Sequence, residues 1–230
     1  MAIKSFRRIE KKFLLSRKQR DNVIECLCSH NMCYDKYCQN DKTYKVRSVY
    51  YDTDDDILIK KSIEKPYYKQ KLRTRKYEGQ KSVFLELKKK CDGVVGKRRV
   101  ELSQEEIDNF VDNGVLPNRE SYIDKQVLKE IEYFLTCYKV KPKVLITYDR
   151  LGFFDKDDKE FRITFDHNIL TSRNNVDWET KDFDKSLIGD DEYLMEIKSV
   201  ANFPLWLVEC LTKNNVFEHS FSKYGTEFHL

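Results

Sequence analysis

Two stretches of the sequence decide the fold class: residues 83–88, VFLELK, and residues 193–198, YLMEIK. In both, apolar residues alternate with a row of side chains that ends in a Glu and a Lys two positions apart. Successive side chains of a strand point to opposite faces of a sheet. Each stretch therefore predicts a strand with one apolar face and one charged face.

The same two-residue period recurs on both sides of these stretches and predicts eight strands. Short polar or glycine-containing turns join several of them, as antiparallel hairpins require. The predicted strands are Arg7–Leu15, Thr43–Asp52, Tyr68–Lys76, Ser82–Lys90, Val94–Glu101, Lys143–Phe153, Glu160–Ile169 and Asp191–Val200.

Helical periodicity predicts four helices, and the one after Ser103 starts with the capping-box pattern that Ser103 and Glu106 form. Residues 170–190 show no period and predict an irregular loop. The 230 residues contain 7 Gly and 4 Pro and no Ser/Gly-rich linker, which favours a single domain over residues 1–230. The predicted helices are Ser16–His30, Ser103–Asn113, Tyr122–Tyr138 and Pro204–Asn214.

These elements predict an α+β, mainly β fold: an eight-stranded antiparallel barrel, closed into a tunnel, with about four helices packed outside. A charged strand face is usually solvated, so an open sheet with one wet face is the alternative. If the sheet closes, the charged rows line a polar bore. Its basic members would be Arg8, Lys12, Lys71, Arg73, Arg75, Lys88, Lys97, Arg99, Arg150, Arg162 and Lys198, against the acidic Glu10, Glu86, Asp166 and Glu196.

An excess of cations in such a bore would be self-repelling when desolvated, and a polyanion would relieve the repulsion. Phosphate is the natural candidate because Arg binds its oxygens bidentately and Lys adds a point charge. The few carboxylates suit Mn²⁺ or Mg²⁺, which bind through one or two carboxylates plus phosphate oxygens. The residues thus favour a site for a phosphate polymer or a nucleoside triphosphate.

Several other functional classes find little support. The chain carries a net charge of only +4 and shows neither a signal peptide nor a run of about 18 apolar residues. We therefore expect a cytoplasmic protein with reduced thiols and no direct membrane insertion.

Four clustered cysteines, Cys26, Cys28, Cys33 and Cys38, lack the spacing of a zinc knuckle. The acidic run 52–56 lacks the later residues of an EF-hand and predicts a solvated turn. A Walker A loop and a nucleophile elbow are also missing from the sequence.

Seven short motifs, in order along the chain, carry a resemblance to a known family. The sequence resembles the VTC-type polyphosphate polymerase domain, a triphosphate tunnel metalloenzyme related to the CYTH phosphatases, from about residue 5 to residue 228. The motifs are RIEKKF (8–13), KLRTR (71–75), LELK (85–88), KRR (97–99), YDR (148–150), LMEIK (194–198) and SFSKY (220–224).

The resemblance implies a closed tunnel in which the γ-phosphate of ATP is added to inorganic polyphosphate. It implies catalytic roles for Arg73, Arg75, Lys88, Arg150 and Glu196, with Glu196 binding Mn²⁺ or Mg²⁺ and Glu10, Glu86 and Asp166 as further candidate ligands. The implied phosphate- and nucleotide-binding residues are Lys12, Lys71, Arg73, Arg75, Lys88, Lys97, Arg99, Tyr148, Arg150, Lys198, Ser222 and Lys223.

The sequence departs from the eukaryotic members, which also carry an SPX domain and a membrane segment. We expect a stand-alone form without the SPX domain, in which translocation of the product needs a separate membrane protein at the inner face of the membrane. Two alternatives stay open: a tunnel triphosphatase, and a non-catalytic polyphosphate-binding module. The triphosphatases carry a Glu-x-Glu-x-Lys pattern, whereas Arg8 stands here two residues before Glu10. Basic strands with many Tyr would also suit RNA, but no stacking platform is evident and no nucleic-acid partner is expected.

Overall fold

A computed structural model describes residues 9–38, 42–92 and 94–230 of the chain. These residues fall into two compact units, each made of several segments. The first unit contains the described residues of 1–45, 148–170 and 186–223, and the second contains those of 46–147, 171–185 and 224–230. The single domain predicted over residues 1–230 stays a prediction.

Ten strands and six helices occur within the described ranges. The strands are β1 (Ile9–Ser16), β2 (Met32–Tyr34), β3 (Tyr44–Asp52), β4 (Tyr68–Tyr77), β5 (Val83–Cys91), β6 (Val94–Leu102), β7 (Lys141–Asp155), β8 (Arg162–Ser172), β9 (Lys185–Ser186) and β10 (Glu192–Ser199). The helices are α1 (Arg17–Ser29), α2 (Ile57–Ile63), α3 (Gln104–Asn113), α4 (Tyr122–Cys137), α5 (Leu205–Lys213) and α6 (Lys223–His229).

In the second unit the hydrogen-bonded strand order is β7-β3-β4-β5-β6, with β3–β4, β4–β5 and β5–β6 antiparallel. One sheet face carries buried apolar side chains such as Leu72 and Leu85. Helices α3 and α4 cover it through residues such as Phe110, Ile131 and Phe134. Full burial of such a side chain contributes about 1.5–3 kcal/mol. The helices therefore occupy the apolar face and leave the opposite face to the charged rows.

In the first unit the order is β1-β10-β8-β7, with β1–β10 and β10–β8 antiparallel, and β2 pairs with the end of β7. The apolar rows contribute buried side chains such as Ile163 and Met195. Helices α1 and α5 pack against them through Leu27, Leu207 and Leu211. The alternation read from residues 193–198 is thus a buried row beside a charged row, as predicted.

Two helices start with reciprocal side-chain caps. The predicted capping box is confirmed: Ser103 Oγ accepts a hydrogen bond from the Glu106 N–H, and the Glu106 carboxylate accepts one from the Ser103 N–H. Ser16 and Gln19 form a second capping box at the start of α1, which the sequence analysis did not identify. Both boxes satisfy backbone donors that a helix start leaves unpaired.

The prediction of a solvated turn at residues 52–56 is wrong for its first residue. Asp52 is fully buried, and its carboxylate accepts hydrogen bonds from the N–H groups of Leu58 and Ile59. The Tyr224 hydroxyl donates a further hydrogen bond to it at 2.8 Å. Asp52 therefore fixes the start of the short helix α2, a role that its place in an acidic run conceals.

The mainly β, α+β class with antiparallel strands is confirmed, as are all eight predicted strands, whose ends differ by a few residues from the prediction. The structure adds β2, β9, α2 and α6, which have at most seven residues each and are too short to show a period. The predicted irregular segment 170–190 contains the end of β8 and β9. Closure of the eight strands into a tunnel stays a prediction. Nowhere in the described ranges is a helix both long enough and apolar enough to span a membrane.

Candidate functional site

The charged face of the second unit centres on Glu86, in the middle of β5. The strand register places Glu86 directly opposite Arg73 of β4 and Arg99 of β6. The Glu86 side chain is 1% exposed; its Oε2 accepts a hydrogen bond from Arg73 Nε at 2.8 Å, and Lys97 Nζ lies 2.6 Å from its Oε1. One buried carboxylate therefore holds two of the predicted phosphate-binding cations.

Positive charge exceeds negative charge in this Glu86 cluster, and the pKa values reflect the excess. Burial raises the pKa of Glu86, but the charges of Arg73, Arg75 and Lys97 outweigh burial and lower the pKa well below its ordinary value. Desolvation and the two arginines lower the pKa of Lys97 to about 7, against the opposing effect of Glu86. Because 42% of the Lys97 side chain is exposed, solvent screens part of this repulsion. A bound anion would relieve the repulsion.

Strand β3 adds two residues to this face that the sequence analysis missed. Tyr50, 7% exposed, accepts a hydrogen bond from Arg73 Nη1 at 3.0 Å. Ser48 Oγ accepts one from Arg75 Nε at 3.2 Å. Burial raises the pKa of Tyr50, but the charges of Arg73, Arg75 and Lys71 lower it to about 8. The signal that would have found both residues is the two-residue alternation of β3, which places Ser48 and Tyr50 on the same face of the strand.

The remaining predicted residues of this unit lie around the Glu86 cluster. Lys71 is half-buried, opposite Lys88, and its Nζ lies 5.9 Å from the centroid of the Tyr224 ring. Arg99 is exposed, with its guanidinium carbon 4.4 Å from the centroid of the Phe84 ring. The charged face of the second unit thus brings together the predicted Lys71, Arg73, Arg75, Glu86, Lys88, Lys97 and Arg99.

In the first unit the corresponding centre is Asp166 of β8, which is fully buried. Arg150 of β7 binds it bidentately, Nε to Oδ1 at 2.6 Å and Nη2 to Oδ2 at 2.8 Å, and Lys223 Nζ donates to Oδ2 at 2.6 Å. Burial raises the pKa of Asp166, but the charges of Arg150 and Lys223 lower it to about 2. This Asp166 cluster therefore stays ionised at neutral pH and carries a net positive charge.

Tyr148 supports the two cations of the Asp166 cluster with its ring. It is 1% exposed, and its ring centroid lies 5.0 Å from the guanidinium carbon of Arg150 and 4.5 Å from Lys223 Nζ. Both distances suit a cation–π interaction. The structure thus places Tyr148 next to the predicted phosphate-binding cations and gives it a positioning contact with each.

Four charged residues of β1 and β10 form a second group in the first unit, the Glu196 cluster. The register places Lys12 opposite Glu196, and Glu10 opposite Lys198. Lys198 Nζ lies 3.0 Å from Glu196 Oε1, and Lys12 Nζ lies 3.7 Å from Glu10 Oε1. Burial raises the pKa of Glu196, but Lys198, Lys12, Lys223 and, to a smaller extent, Arg150 lower it well below its ordinary value. Each charge in the cluster therefore has an opposite charge across the strands and along its own strand.

Ser222, a further predicted residue of the first unit, lies directly before α6. Lys12 Nζ donates a hydrogen bond to the Phe221 carbonyl at 2.9 Å, and Ser222, half-buried, follows directly. Arg8 lies outside the described residues. The first unit thus brings together the predicted Glu10, Lys12, Tyr148, Arg150, Asp166, Glu196, Lys198, Ser222 and Lys223.

A divalent cation fits some of the predicted carboxylates better than others. Both oxygens of Glu86 and of Asp166 already lie within 2.8 Å of a cationic nitrogen. The lysines beside Glu196 and Glu10 stand further off, at 3.0 and 3.7 Å. No group of three or more His, Cys, Asp or Glu side chains that could hold a metal ion occurs in the described part of the chain. One or two carboxylates together with phosphate oxygens suit Mg²⁺ or Mn²⁺, and Glu196 with Glu10 fit that arrangement best.

Comparisons with known proteins agree with this description. The family model described as the VTC domain matches residues 7–230. A search of curated proteins found no match. Three solved structures show the same fold. A candidate adenylate cyclase from Bacillus halodurans is 16% identical, with a TM-score of 0.55 and coverage of 93% of this chain and 92% of its own.

The second is a candidate adenylate cyclase from Vibrio parahaemolyticus, 12% identical with a TM-score of 0.53, covering 97% of this chain and 98% of its own. The third, a candidate adenylyl cyclase from Hippeastrum for which a dominant triphosphatase activity is described, is 16% identical with a TM-score of 0.51 and covers 96% and 95%. At these identities the likeness shows the fold. Together with the family match over almost the whole sequence, it leads to one conclusion: the chain belongs to the VTC domain family.

Proposed function

We propose that the chain is an ATP-dependent polyphosphate polymerase, which transfers the γ-phosphate of ATP to the end of an inorganic polyphosphate chain and releases ADP. One observation carries the proposal: each unit contains a fully buried carboxylate that holds two cations, Glu86 in one and Asp166 in the other. The carboxylates fix the cations in place without cancelling their charge. An excess of preorganised cations suits a substrate and a product that are both polyanions.

The residues match what phosphoryl transfer requires, which is mainly positioning and charge stabilisation. In the proposed reaction an oxygen of the terminal phosphate of the chain forms a bond to the γ-phosphorus of ATP. The bond between that phosphorus and the oxygen bridging to the β-phosphate breaks, and ADP leaves. Arg73 and Arg75 of the second unit would stabilise phosphate oxygens, with Lys88 adding charge, and Arg150 would bind phosphate oxygens in the first unit. No general base is required, because the attacking phosphate oxygen is already ionised at neutral pH.

Glu196, with Glu10, would hold Mn²⁺ or Mg²⁺, whose charge would further neutralise phosphate oxygens. The proposal also includes closure of the strands into a tunnel. A long polyphosphate product would pass through this tunnel. A metal requirement is supported by the family, whose members are usually metal-dependent.

A tunnel triphosphatase is the second candidate, because a triphosphatase activity is described for the Hippeastrum structure with the same fold. A hydrolase would need a carboxylate to orient the attacking water. Glu10, the carboxylate in the corresponding place, faces Lys198 and lies 3.7 Å from Lys12. With Arg8 rather than a second glutamate before it, this arrangement favours transfer to phosphate over transfer to water.

The test is to incubate the purified protein with ATP and Mn²⁺ or Mg²⁺ and to resolve polymer, ADP and free phosphate. We expect polymer from the wild-type protein and from Arg98→Ala, and none from Arg73→Ala. Arg98 is the matched control because its Nε pairs with Glu130 of α4, on the covered face of the same sheet. Free phosphate without polymer would indicate the triphosphatase, and tight polyphosphate binding without turnover would indicate a binding module.

A further inference from the structure

At one end of the charged face of the second unit, the charged residues of β4 and β5 are all lysines. At the start of β4 and the end of β5, Lys69 lies directly opposite Lys90. The next pair on the same face is Lys71 with Lys88, and Lys88 in turn lies opposite Lys97 of β6. Lys69 and Lys90 are thus the outermost pair of a row of cations that starts at the Glu86 cluster.

The two outer lysines share a face with the Glu86 cluster. Lys69 is four residues from Arg73 along β4, and Lys90 is four residues from Glu86 along β5, so the two-residue alternation puts all four on one side. Lys89, between them in sequence, points the other way, because its Nζ donates to Glu130 of α4 at 3.0 Å. The row therefore continues the charged face and does not belong to the helix-covered face.

Cross-strand neighbours of like charge destabilise a sheet, so the Lys69–Lys90 pair requires a compensating interaction. Lys69 Nζ donates a hydrogen bond to the Ser62 carbonyl at 2.9 Å, which is a neutral acceptor. Desolvation lowers the pKa of Lys69, and Lys90, Lys65 and Lys88 lower it further. The residue opposite Lys90 on β6 is Val95. The strand pairing thus offers these two lysines no carboxylate.

We propose that Lys69 and Lys90 bind the phosphates of a polyphosphate chain that extend beyond those held around Arg73. The inference rests on the proposed function and adds a subsite to it. Four residues of strand separate Lys69 from Arg73, which corresponds to about 13 Å along the sheet. A short substrate bound at Arg73 does not need to reach the outer pair, whereas a long chain that follows the row of lysines does.

The experiment compares the wild-type protein with Lys69→Ala/Lys90→Ala in binding ATP, tripolyphosphate and polyphosphates of increasing length. We expect unchanged affinity for ATP and tripolyphosphate, and a loss of about three- to tenfold for long polyphosphate. The salt dependence of long-chain binding should also weaken, because fewer counterions are exchanged. Lys90→Glu repeats the test with one exposed residue, whose replacement leaves the core untouched.

The matched control is Lys125→Ala/Lys129→Ala on α4, which removes the same net charge from the helix on the other face of the sheet. An equal loss in this control, an equal loss for all chain lengths, or no loss in the double variant would overturn the inference. Single-stranded RNA of similar charge serves as a competitor, and displacement of polyphosphate by RNA at equal charge would overturn it as well. If Arg73→Ala abolishes polyphosphate binding while Lys69→Ala/Lys90→Ala leaves it intact, the subsite is refuted and the proposed function stands. If polyphosphate does not bind the wild-type protein, both are refuted.

Discussion

The Asp166 cluster allows the sharpest prediction, the effect of Asp166→Asn. The substitution preserves the size of the side chain and one acceptor oxygen but removes the negative charge between Arg150 and Lys223. These cations are only 11% and 12% exposed. Two largely buried positive charges would then face each other without the carboxylate that pairs with both, and we expect the folded state to lose stability.

Two routes give the order of magnitude of this loss. The pKa of Asp166 is lowered from 3.8 to about 2, and one pKa unit corresponds to about 1.36 kcal/mol, so the ionised form contributes about 2 kcal/mol. Breaking a buried ion pair by removing one partner typically costs about 3–5 kcal/mol. We therefore expect Asp166→Asn to lower the free energy of unfolding by about 3 kcal/mol at pH 7.

The assay is urea unfolding of the wild-type and variant proteins across a range of pH. Because the folded-state pKa of Asp166 lies below its unfolded value, its contribution is present above about pH 4 and is lost as the pH falls towards 2. The difference between the two proteins should shrink over that window. Tripolyphosphate should raise the melting temperature of the variant more than that of the wild-type protein, since a bound anion replaces the missing charge.

If Asp166→Asn were as stable as the wild-type protein at pH 7, the Asp166 charge would not stabilise the fold as proposed. A stability difference that did not change between pH 4 and pH 2 would also count against that role, because the loss would then come from packing and not from charge.

Three further predictions concern the metal, the phosphate cations and the fold. Glu196→Gln should raise the Mn²⁺ or Mg²⁺ concentration for half-maximal activity at least about tenfold; an unchanged metal titration would remove Glu196 from the metal site. Tyr50→Phe removes a hydrogen-bond acceptor of Arg73, so the KM for ATP should rise about fivefold with circular dichroism unchanged, and an unaltered KM would leave Tyr50 without a positioning role. Ser103→Ala removes the cap that Ser103 shares with Glu106 and should cost about 1 kcal/mol of stability with no change in ATP affinity; a change in affinity would contradict the assignment of α3 to the covered face.

The strands could be predicted from sequence because one face of each is covered and apolar, which gives the sequence a two-residue period. Residues 83–88 and 193–198 show the two-residue period because one row of each strand packs in the apolar core and the other row carries the charged residues. The short helix α2 showed no such signal. Its start depends on Asp52, whose burial is created by the residues packed around it and cannot be read from an acidic run.

The candidate site was predictable as a set of residues but not as a set of pairs. Alternation placed Arg73, Glu86 and Lys97 on charged rows, yet which carboxylate holds which cation depends on the strand register. A one-residue change of register would reverse every face. Tyr50 was missed for a related reason, since aromatic residues on β3 occupy both faces and charge alone does not distinguish them.

The most direct test of the central claim follows the γ-phosphate of ATP. The purified protein is incubated with γ-labelled ATP, a short polyphosphate primer and Mn²⁺ or Mg²⁺, and the label is measured in polymer and in free phosphate alongside the ADP formed. We expect label to enter polymer in a one-to-one ratio with ADP, and we expect Arg73→Ala to stop this while Arg98→Ala does not. Label recovered only as free phosphate, with the primer unextended, would contradict the proposed function.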